Sequence, residues 1–376
     1  MGSPPSPTHH NIVMLQTQYF PCPHFDLPPQ YTKTEFIYKE TPRSELHARI
    51  HDATIIVLAT TRLDAVALSP EVTPYLKFIA ITASGTDCID LDACRKRGIV
   101  VSNSPGVNIE AVSEHAIGLY FAARRKVLQM HNETRRGAWV QKSTLMFDML
   151  NKDGTAPLTC EEEVAGVIGY GVVGKLSNTY FNYTAAVSKI ESILQLYKPV
   201  LKLTYNIGKR IAHLAQSLGM KVLISGRKGA GATALPSALQ SEERTPFEEI
   251  IRKCTVIFVV VPRNSSTIDL ISTPEFKSMS QHTVVINVAR GGIVNEEALV
   301  AALKENLIAG AATDVFFHEP ASPENSVLLR EDTADLNLTV SPHMAWVAER
   351  TQQNLVNVTK KIVEGWVAGQ PCNVVI

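Results

Sequence analysis

Val164-Ala-Gly-Val-Ile168 runs directly into Gly169-Tyr-Gly-Val-Val-Gly174, and the reading of the whole chain turns on this stretch. A short apolar run that delivers a G-x-G-x-x-G turn describes a strand ending in a dinucleotide pocket. The glycines allow a tight turn, an unobstructed backbone approach to a pyrophosphate, and close packing of the following helix on the sheet. The expected pocket residues are Gly169, Tyr170, Gly171, Val172, Val173 and Gly174. The residues after Gly174 are wrong for that job. Lys175-Leu-Ser-Asn-Thr-Tyr-Phe-Asn-Tyr-Thr184 is rich in β-branched, aromatic and turn-forming residues where a helix should open under the phosphates. A helix-competent run comes only at Gly208-Lys-Arg-Ile-Ala-His-Leu-Ala-Gln-Ser-Leu-Gly219.

Working outward, apolar runs alternate with helical patterns on both sides. Upstream, strands are expected at Ile55–Ala59, Phe78–Thr82 and Ile99–Ser102, with helical segments at Ser44–His51 and Leu91–Arg97 between them. From Asn108 to Arg125 the apolar residues Ile109, Val112, Ala116, Leu119 and Tyr120 fall at helical spacing, long enough to bridge two domains with a boundary near 116. Residues 131–163 are polar and read as a covering loop. Downstream, strands at Val222–Ile224, Val256–Val261, Val284–Asn287 and Gly310–Asp314 alternate with helices at Phe247–Arg252 and Glu296–Glu305. This is the pattern of a Rossmann-type doubly wound parallel sheet. Val347–Ala368 is periodic enough for a helix that returns to the first domain, while residues 1–10 carry proline, serine and histidine without apolar anchors and read as a disordered tail.

The chain has 376 residues with 45% hydrophobic content, enough for two domains with large cores. Lysine plus arginine balances aspartate plus glutamate at 36 each, so charge gives no case for a nucleic acid or anionic membrane partner. Six cysteines stand without C-x-x-C spacing, which fits free thiols in a reducing, cytoplasmic compartment and neither a metal site nor a disulfide framework. No apolar run approaches the roughly 20 residues of a spanning helix.

Six motifs in order resemble the D-isomer-specific 2-hydroxyacid dehydrogenases, especially the glycerate dehydrogenase or hydroxypyruvate/glyoxylate reductase branch. They are Ser84-Gly-Thr-Asp-Cys-Ile-Asp90, Asn103-Ser-Pro-Gly-Val-Asn-Ile-Glu-Ala-Val-Ser-Glu-His115, Gly169–Gly174, Asn287-Val-Ala-Arg-Gly-Gly292, Asp314-Val-Phe-Phe-His-Glu-Pro320 and Ser341-Pro-His-Met-Ala-Trp346. The resemblance implies a flavodoxin-like substrate domain built from both chain ends, residues 11–115 and 346–376, and a cofactor domain at 116–345. It also implies a homodimer and a small 2-oxoacid or 2-hydroxyacid substrate. Arg290 matches the arginine that grips the substrate carboxylate and carbonyl, a task suited to a planar guanidinium. His343 matches the acid that protonates the carbonyl oxygen, and histidine's ordinary pKa of about 6.5 suits that transfer. Glu319 matches the carboxylate that orients it, and Ser84 and Gly85 the backbone donors to the substrate carboxylate. Pro262, Val288, Ala289 and Asp314 match positions that line the cofactor. His213, His282 and His318 read as structural, His115 as a structural residue between domains, and Asp87 and Asp90 as turn and capping carboxylates. Trp139 and Trp346 read as core residues rather than as a cover over the site.

An NAD site normally carries an acidic side chain at the end of the second strand, about 20 residues past the glycines. Here that strand ends Ile224-Ser-Gly-Arg-Lys228, with Ser225, Arg227 and Lys228 able to hold a 2′-phosphate. The expectation is NADP(H) in preference to NAD(H), with no metal.

Excising residues 175–208, 34 in all, joins Gly174 to Lys209 and gives Gly-Tyr-Gly-Val-Val-Gly-Lys-Arg-Ile-Ala. The same cut shortens the Gly174-to-Gly226 separation from 52 to 18 positions, near the spacing that a ribose-reading strand end requires. Two spacings are repaired by one excision, as expected of a translated retained intron. The codons permit it, since Gly174-Lys175 can be written GGTAAG and Ile207-Gly208 ATAGGN. The alternative expectation is a dinucleotide-binding protein whose catalysis is impaired because the insert disrupts the phosphate turn.

Overall fold

The computed structural model describes residues 7–170, 206–229 and 244–376. The chain divides into two units, Met1–Asn108 with Val347–Ile376, and Ile109–Trp346. The first is a parallel five-stranded sheet of β1 (His9–Met14), β2 (Thr32–Ile37), β3 (Ile55–Leu58), β4 (Phe78–Ile81) and β5 (Val100–Ser102), ordered β2-β1-β3-β4-β5. That order is the flavodoxin-like one. Leu46 and Ile50 of helix Arg43–Ile50 and Cys94 of helix Leu91–Arg97 pack into the core on one face. On the other face lie Ile362, Val363 and Val367 of the C-terminal helix Glu349–Val367, against Ile12, Met14, Ile55 and Phe78. Both chain ends therefore build this unit, as expected, and Asp90 caps the helix after it by accepting from the Ala93 N–H at 2.9 Å.

Residues 1–6 lie outside the described residues, but His9 and His10, expected in a disordered tail, open β1 and pair with Thr32 and Lys33 of β2. Polar residues at the start of a central strand hid it from a hydrophobicity reading. His10 is buried between the rings of Tyr31 and Trp366, at 5.4 and 5.7 Å. Neither of its ring nitrogens has a hydrogen-bond partner among the described residues. Burial, helped by the charges of Lys77 and His9, holds its pKa below the ordinary value. A depressed folded-state pKa means that the unfolded chain binds the extra proton. The stability contribution is complete above the unfolded value of about 6.5 and is lost as pH falls through the lower folded one. Thermal melts of His10→Leu should show a shallower loss of stability between about pH 6.5 and 5 than the parent; identical acid limbs would reject this role.

The second unit is a parallel six-stranded sheet of β6 (Val164–Ile168), β7 (Lys221–Ile224), β8 (Val256–Val259), β9 (Val284–Asn287), β10 (Gly310–Thr313) and β11 (Leu338–Val340), ordered β11-β10-β9-β8-β6-β7. Helices Ile109–Arg124 and Ile207–Ser217 bury their apolar stripes on one face. Helices Phe247–Lys253, Thr273–Ser278 and Glu296–Lys304 cover the other. The strand order reverses between β6 and β8, so a ligand crevice is expected at their carboxyl ends. The division between the units falls at the start of helix Ile109–Arg124, not within it near 116. The first part of the expected covering loop at 131–163 is instead helical, with Val127–Arg135, Ala138–Lys142 and Met146–Met149 in succession, while 150–159 have no helix. Trp139, expected in a core, is 59% exposed there.

Candidate active site

Three loops at the carboxyl ends of β9, β10 and β11 carry Arg290, Glu319 and His343. Asn287 fastens the first of them: its side chain accepts from the Ala289 N–H at 3.1 Å and donates to the Arg290 carbonyl at 3.2 Å. Gly291 explains the closeness of this loop to the next. A Cβ there would stand 1.8 Å from the Phe316 carbonyl oxygen, and one on Gly292 2.7 Å from the Phe317 ring. Only glycine lets the Arg290 loop lie flat on the Phe316–Phe317 peptide. We expect Gly291→Ala to cost about 1–3 kcal/mol in overpacking and to lower activity more than stability. Denaturant melts and turnover, measured side by side, check this; full activity would contradict it.

The Glu319 carboxylate is fixed at both oxygens. Oε1 accepts from the Phe316 N–H at 2.9 Å and Oε2 meets His343 Nδ1 at 2.7 Å. A carboxylate offers only acceptors, so Nδ1 carries the proton and Nε2, which has no partner among the described residues, is the working nitrogen. Burial pushes the Glu319 pKa up, but the hydrogen bond and charge of His343, the Phe316 N–H and the charge of Arg290 together hold it below the ordinary carboxylate value. The Glu319 side of the dyad therefore stays an ionised carboxylate at neutral pH.

His343 sits at φ 55°, in the left-handed region. Asp314, 1% exposed, imposes that backbone. Its carbonyl accepts from the His343 N–H at 2.7 Å, and its carboxylate accepts from Ser341 Oγ at 2.6 Å and from the Met344 and Ala345 N–H groups at 2.9 Å each. Asp314 thus folds the loop that presents His343. His115, expected to be structural between domains, belongs to the same network: its Nε2 lies 3.0 Å from Ser341 Oγ. Its place in the Glu114-His115 pair was the signal available for it. In the other unit, Ser84 and Gly85 follow β4, where Asn103 donates to the Ser84 carbonyl at 2.7 Å and Ser84 Oγ to the Ser104 carbonyl at 3.1 Å. Their N–H groups have no partner among the described residues.

At the β6–β8 crevice, a Cβ on Gly169 would come within 2.5 Å of the Val260 carbonyl oxygen. Gly171, Val172, Val173 and Gly174 lie outside the described residues, as does most of the expected insert. The helix start is in place nonetheless. Asn206 caps Ile207–Ser217 by accepting from the Lys209 N–H at 2.8 Å, and a Cβ on Gly208 would stand 2.1 Å from the Gly169 carbonyl oxygen. Gly208 thus supplies the close helix–strand approach expected of the third glycine. Val288 and Ala289 are buried beyond β9, and Pro262, beyond β8, accepts from Thr267 Oγ1 at 2.7 Å. Ser225 and Gly226 end β7 with no carboxylate in the ribose-reading place. Arg227 is exposed, whereas Lys228 is held by Glu275 at 2.9 Å and the Leu270 carbonyl at 3.0 Å.

A profile described as "D-isomer specific 2-hydroxyacid dehydrogenase, NAD binding domain" matches residues 204–345. The chain is 32% identical over 353 residues to a glycerate dehydrogenase of Methylorubrum extorquens, covering 93% of each. The chain belongs to the D-isomer-specific 2-hydroxyacid dehydrogenase family. It is also similar to a glyoxylate reductase of Thermococcus litoralis, 29% identical over 342 residues, 90% of this chain and 88% of the relative. An NADPH-dependent glyoxylate/hydroxypyruvate reductase of Sinorhizobium meliloti, solved with NADP and malonate, superposes with a TM-score of 0.66 at 22% identity over 95% of this chain and 93% of that one. That likeness supports the fold. Within this dehydrogenase the profile match begins at 204, beyond the glycine turn at 169–174 and near the end of the expected insert at 175–208. Among the described residues no helix is long and apolar enough to cross a membrane.

Proposed function

We propose that the chain reduces a small 2-oxoacid, hydroxypyruvate or glyoxylate, with NADPH in preference to NADH, reversibly giving D-glycerate or glycolate. The observation that carries this reading is the Glu319–His343 dyad on the sheet edge that also bears Arg290. The nucleotide, when bound, supplies the hydride to the carbonyl carbon. As the C=O π electrons move to oxygen, protonated His343 gives its Nε2 proton to that oxygen and becomes neutral. Glu319 holds the ring through Nδ1 and favours its charged form beforehand. Arg290 grips carboxylate and carbonyl oxygens. Gly169, Gly208, Val288 and Ala289 fit a nucleotide lying across the crevice. The cationic β7 end, Ser225-Gly226-Arg227, fits a 2′-phosphate better than it fits bare ribose hydroxyls.

The test is consumption of NADPH and NADH by the purified chain with hydroxypyruvate, glyoxylate and pyruvate. Turnover with neither of the first two, in a protein that still binds nucleotide, would overturn the reading in favour of a catalytically silent dinucleotide-binding protein. The interrupted glycine turn is the observation on that side. We also propose a homodimer, since Val127, Leu128, Trp139, Val140, Met146 and Phe147 expose apolar side chains on three successive helices. Cytoplasmic residence fits six cysteines that are all free thiols.

A further inference from the structure

Lys228 was expected, with Ser225 and Arg227, to hold a nucleotide 2′-phosphate, yet its ammonium is committed to Glu275 and the Leu270 carbonyl on the side of helix Thr273–Ser278. A second cation, Arg244, lies beside the same strand end. The segment from Arg244 runs beside the end of β7: Thr245 bridges Ser225, the Thr245 N–H donates to the Ile224 carbonyl at 2.8 Å, and the Gly226 N–H donates to the Thr245 carbonyl at 2.7 Å. This pairing places Arg244 next to the ribose-reading residues although 17 positions separate Arg244 from Arg227 in sequence. The half-buried Arg244 side chain reaches back over the strand end. Its guanidinium carbon lies 5.1 Å from the centre of the Tyr170 ring, and Nη1 is 3.4 Å from the Ser225 carbonyl oxygen. Tyr170 is the residue between the first two glycines of the phosphate turn, and Lys209 Nζ lies 5.4 Å from the same ring.

We propose that Arg244 is the residue that reads the 2′-phosphate of NADP(H) in this chain, with Arg227 beside it and the Tyr170 ring as its support. The assignment rests on the NADP(H) preference stated above. Three physical features make Arg244 the better reader. Stacking on an aromatic ring preorganises a guanidinium while leaving its outer N–H groups free to donate in pairs to phosphate oxygens. The Ser225 carbonyl accepts one N–H and fixes the plane. Arg227, by contrast, is exposed and would have to be ordered by the ligand, and Lys228 would have to break an ion pair to take part.

The experiment titrates the full-length protein with 2′,5′-ADP and with 5′-AMP, fragments that differ by the 2′-phosphate, comparing the parent with Arg244→Gln and Arg244→Lys. Thermal melts establish that the variants are folded. Arg244→Gln should weaken 2′,5′-ADP at least tenfold and leave 5′-AMP within twofold, with Arg244→Lys between parent and glutamine. Unchanged affinity of Arg244→Gln for 2′,5′-ADP, or an equal loss for both fragments in a folded variant, overturns the assignment of Arg244. If the parent itself binds 5′-AMP as tightly as 2′,5′-ADP, the NADP(H) preference fails, and the assignment fails with it. The two failures are told apart by the parent protein alone.

Discussion

His343→Ala lowers turnover by roughly 10²–10⁴-fold, the range expected for removing a positioned general acid, while nucleotide affinity stays near that of the parent. On the proposed mechanism the loss falls on kcat, because Nε2 of His343 would act on the carbonyl oxygen in the transition state whereas Arg290 would hold the ground-state carboxylate. Steady-state kinetics with a parallel nucleotide titration check it; a kcat within threefold of the parent would remove His343 from its role. Glu319→Gln is the companion. It keeps an oxygen for the Nδ1 proton but removes the negative charge beside the ring, so kcat should fall by less than in His343→Ala while nucleotide affinity stays near that of the parent. In the parent, burial of Glu319 is outweighed by His343, the Phe316 N–H and Arg290, and its pKa stays depressed. The stability contributed by this pair is therefore present above the ordinary carboxylate range, near 4.5, and is lost only as pH falls through the lower folded-state value.

Removing residues 175–208 should tighten NADPH binding by about a hundredfold, or about 2.7 kcal/mol. The packing of Gly208 gives the reason. A Cβ on Gly208 would lie 2.1 Å from the Gly169 carbonyl, so the helix can start there only with glycine, and the excision puts Gly174 in the same place before Lys209. Counting back from that glycine, Val172 replaces Asn206. The Asn206 side chain accepts the Lys209 N–H at 2.8 Å and so takes one of the donors that a helix N-terminus offers to a phosphate. Valine cannot accept it. The excision also restores Gly171 to the position directly ahead, where the backbone must approach the pyrophosphate. Titrations of the full chain and the shortened one decide the matter, and equal affinities would refute the idea. Sequencing cDNA across Gly174–Lys175 tests the origin separately: a mature transcript carrying all 102 nucleotides of the segment would end the retained-intron reading.

Much of the fold was legible because β3, β4, β6, β8 and β9 are buried on both faces and read as unbroken apolar runs. Three further strands, β1, β2 and β11, were harder to see for local reasons. β1 opens with His9, His10 and Asn11, β2 is a half-exposed edge reading Thr-Lys-Thr-Glu-Phe-Ile, and β11 is three residues long. The helices at 127–149 were missed because their apolar side chains face outward, so no buried stripe marked them.

By itself the sequence determined the family motifs and the alternation that makes both sheets parallel, and it set the expectations for Arg290, Glu319 and His343 and for an interruption after Gly174. Each of these is written in residue type and spacing along one segment. The tertiary structure decided what depends on segments distant in the chain. Arg124 pairs in the core with Glu163 at 2.5 Å and with the His282 and Thr255 carbonyls, a set that no local pattern announces. Asp314 proves to be the anchor of the His343 loop, Gly208 packs where a third glycine must, and Lys228 is diverted to Glu275 while Arg244 takes the strand end. The physical reason is common to all four. A side chain's hydrogen-bond and ion-pair partners are set by which loops the parallel sheet brings together at its edges, and that juxtaposition exists only once the strands have paired.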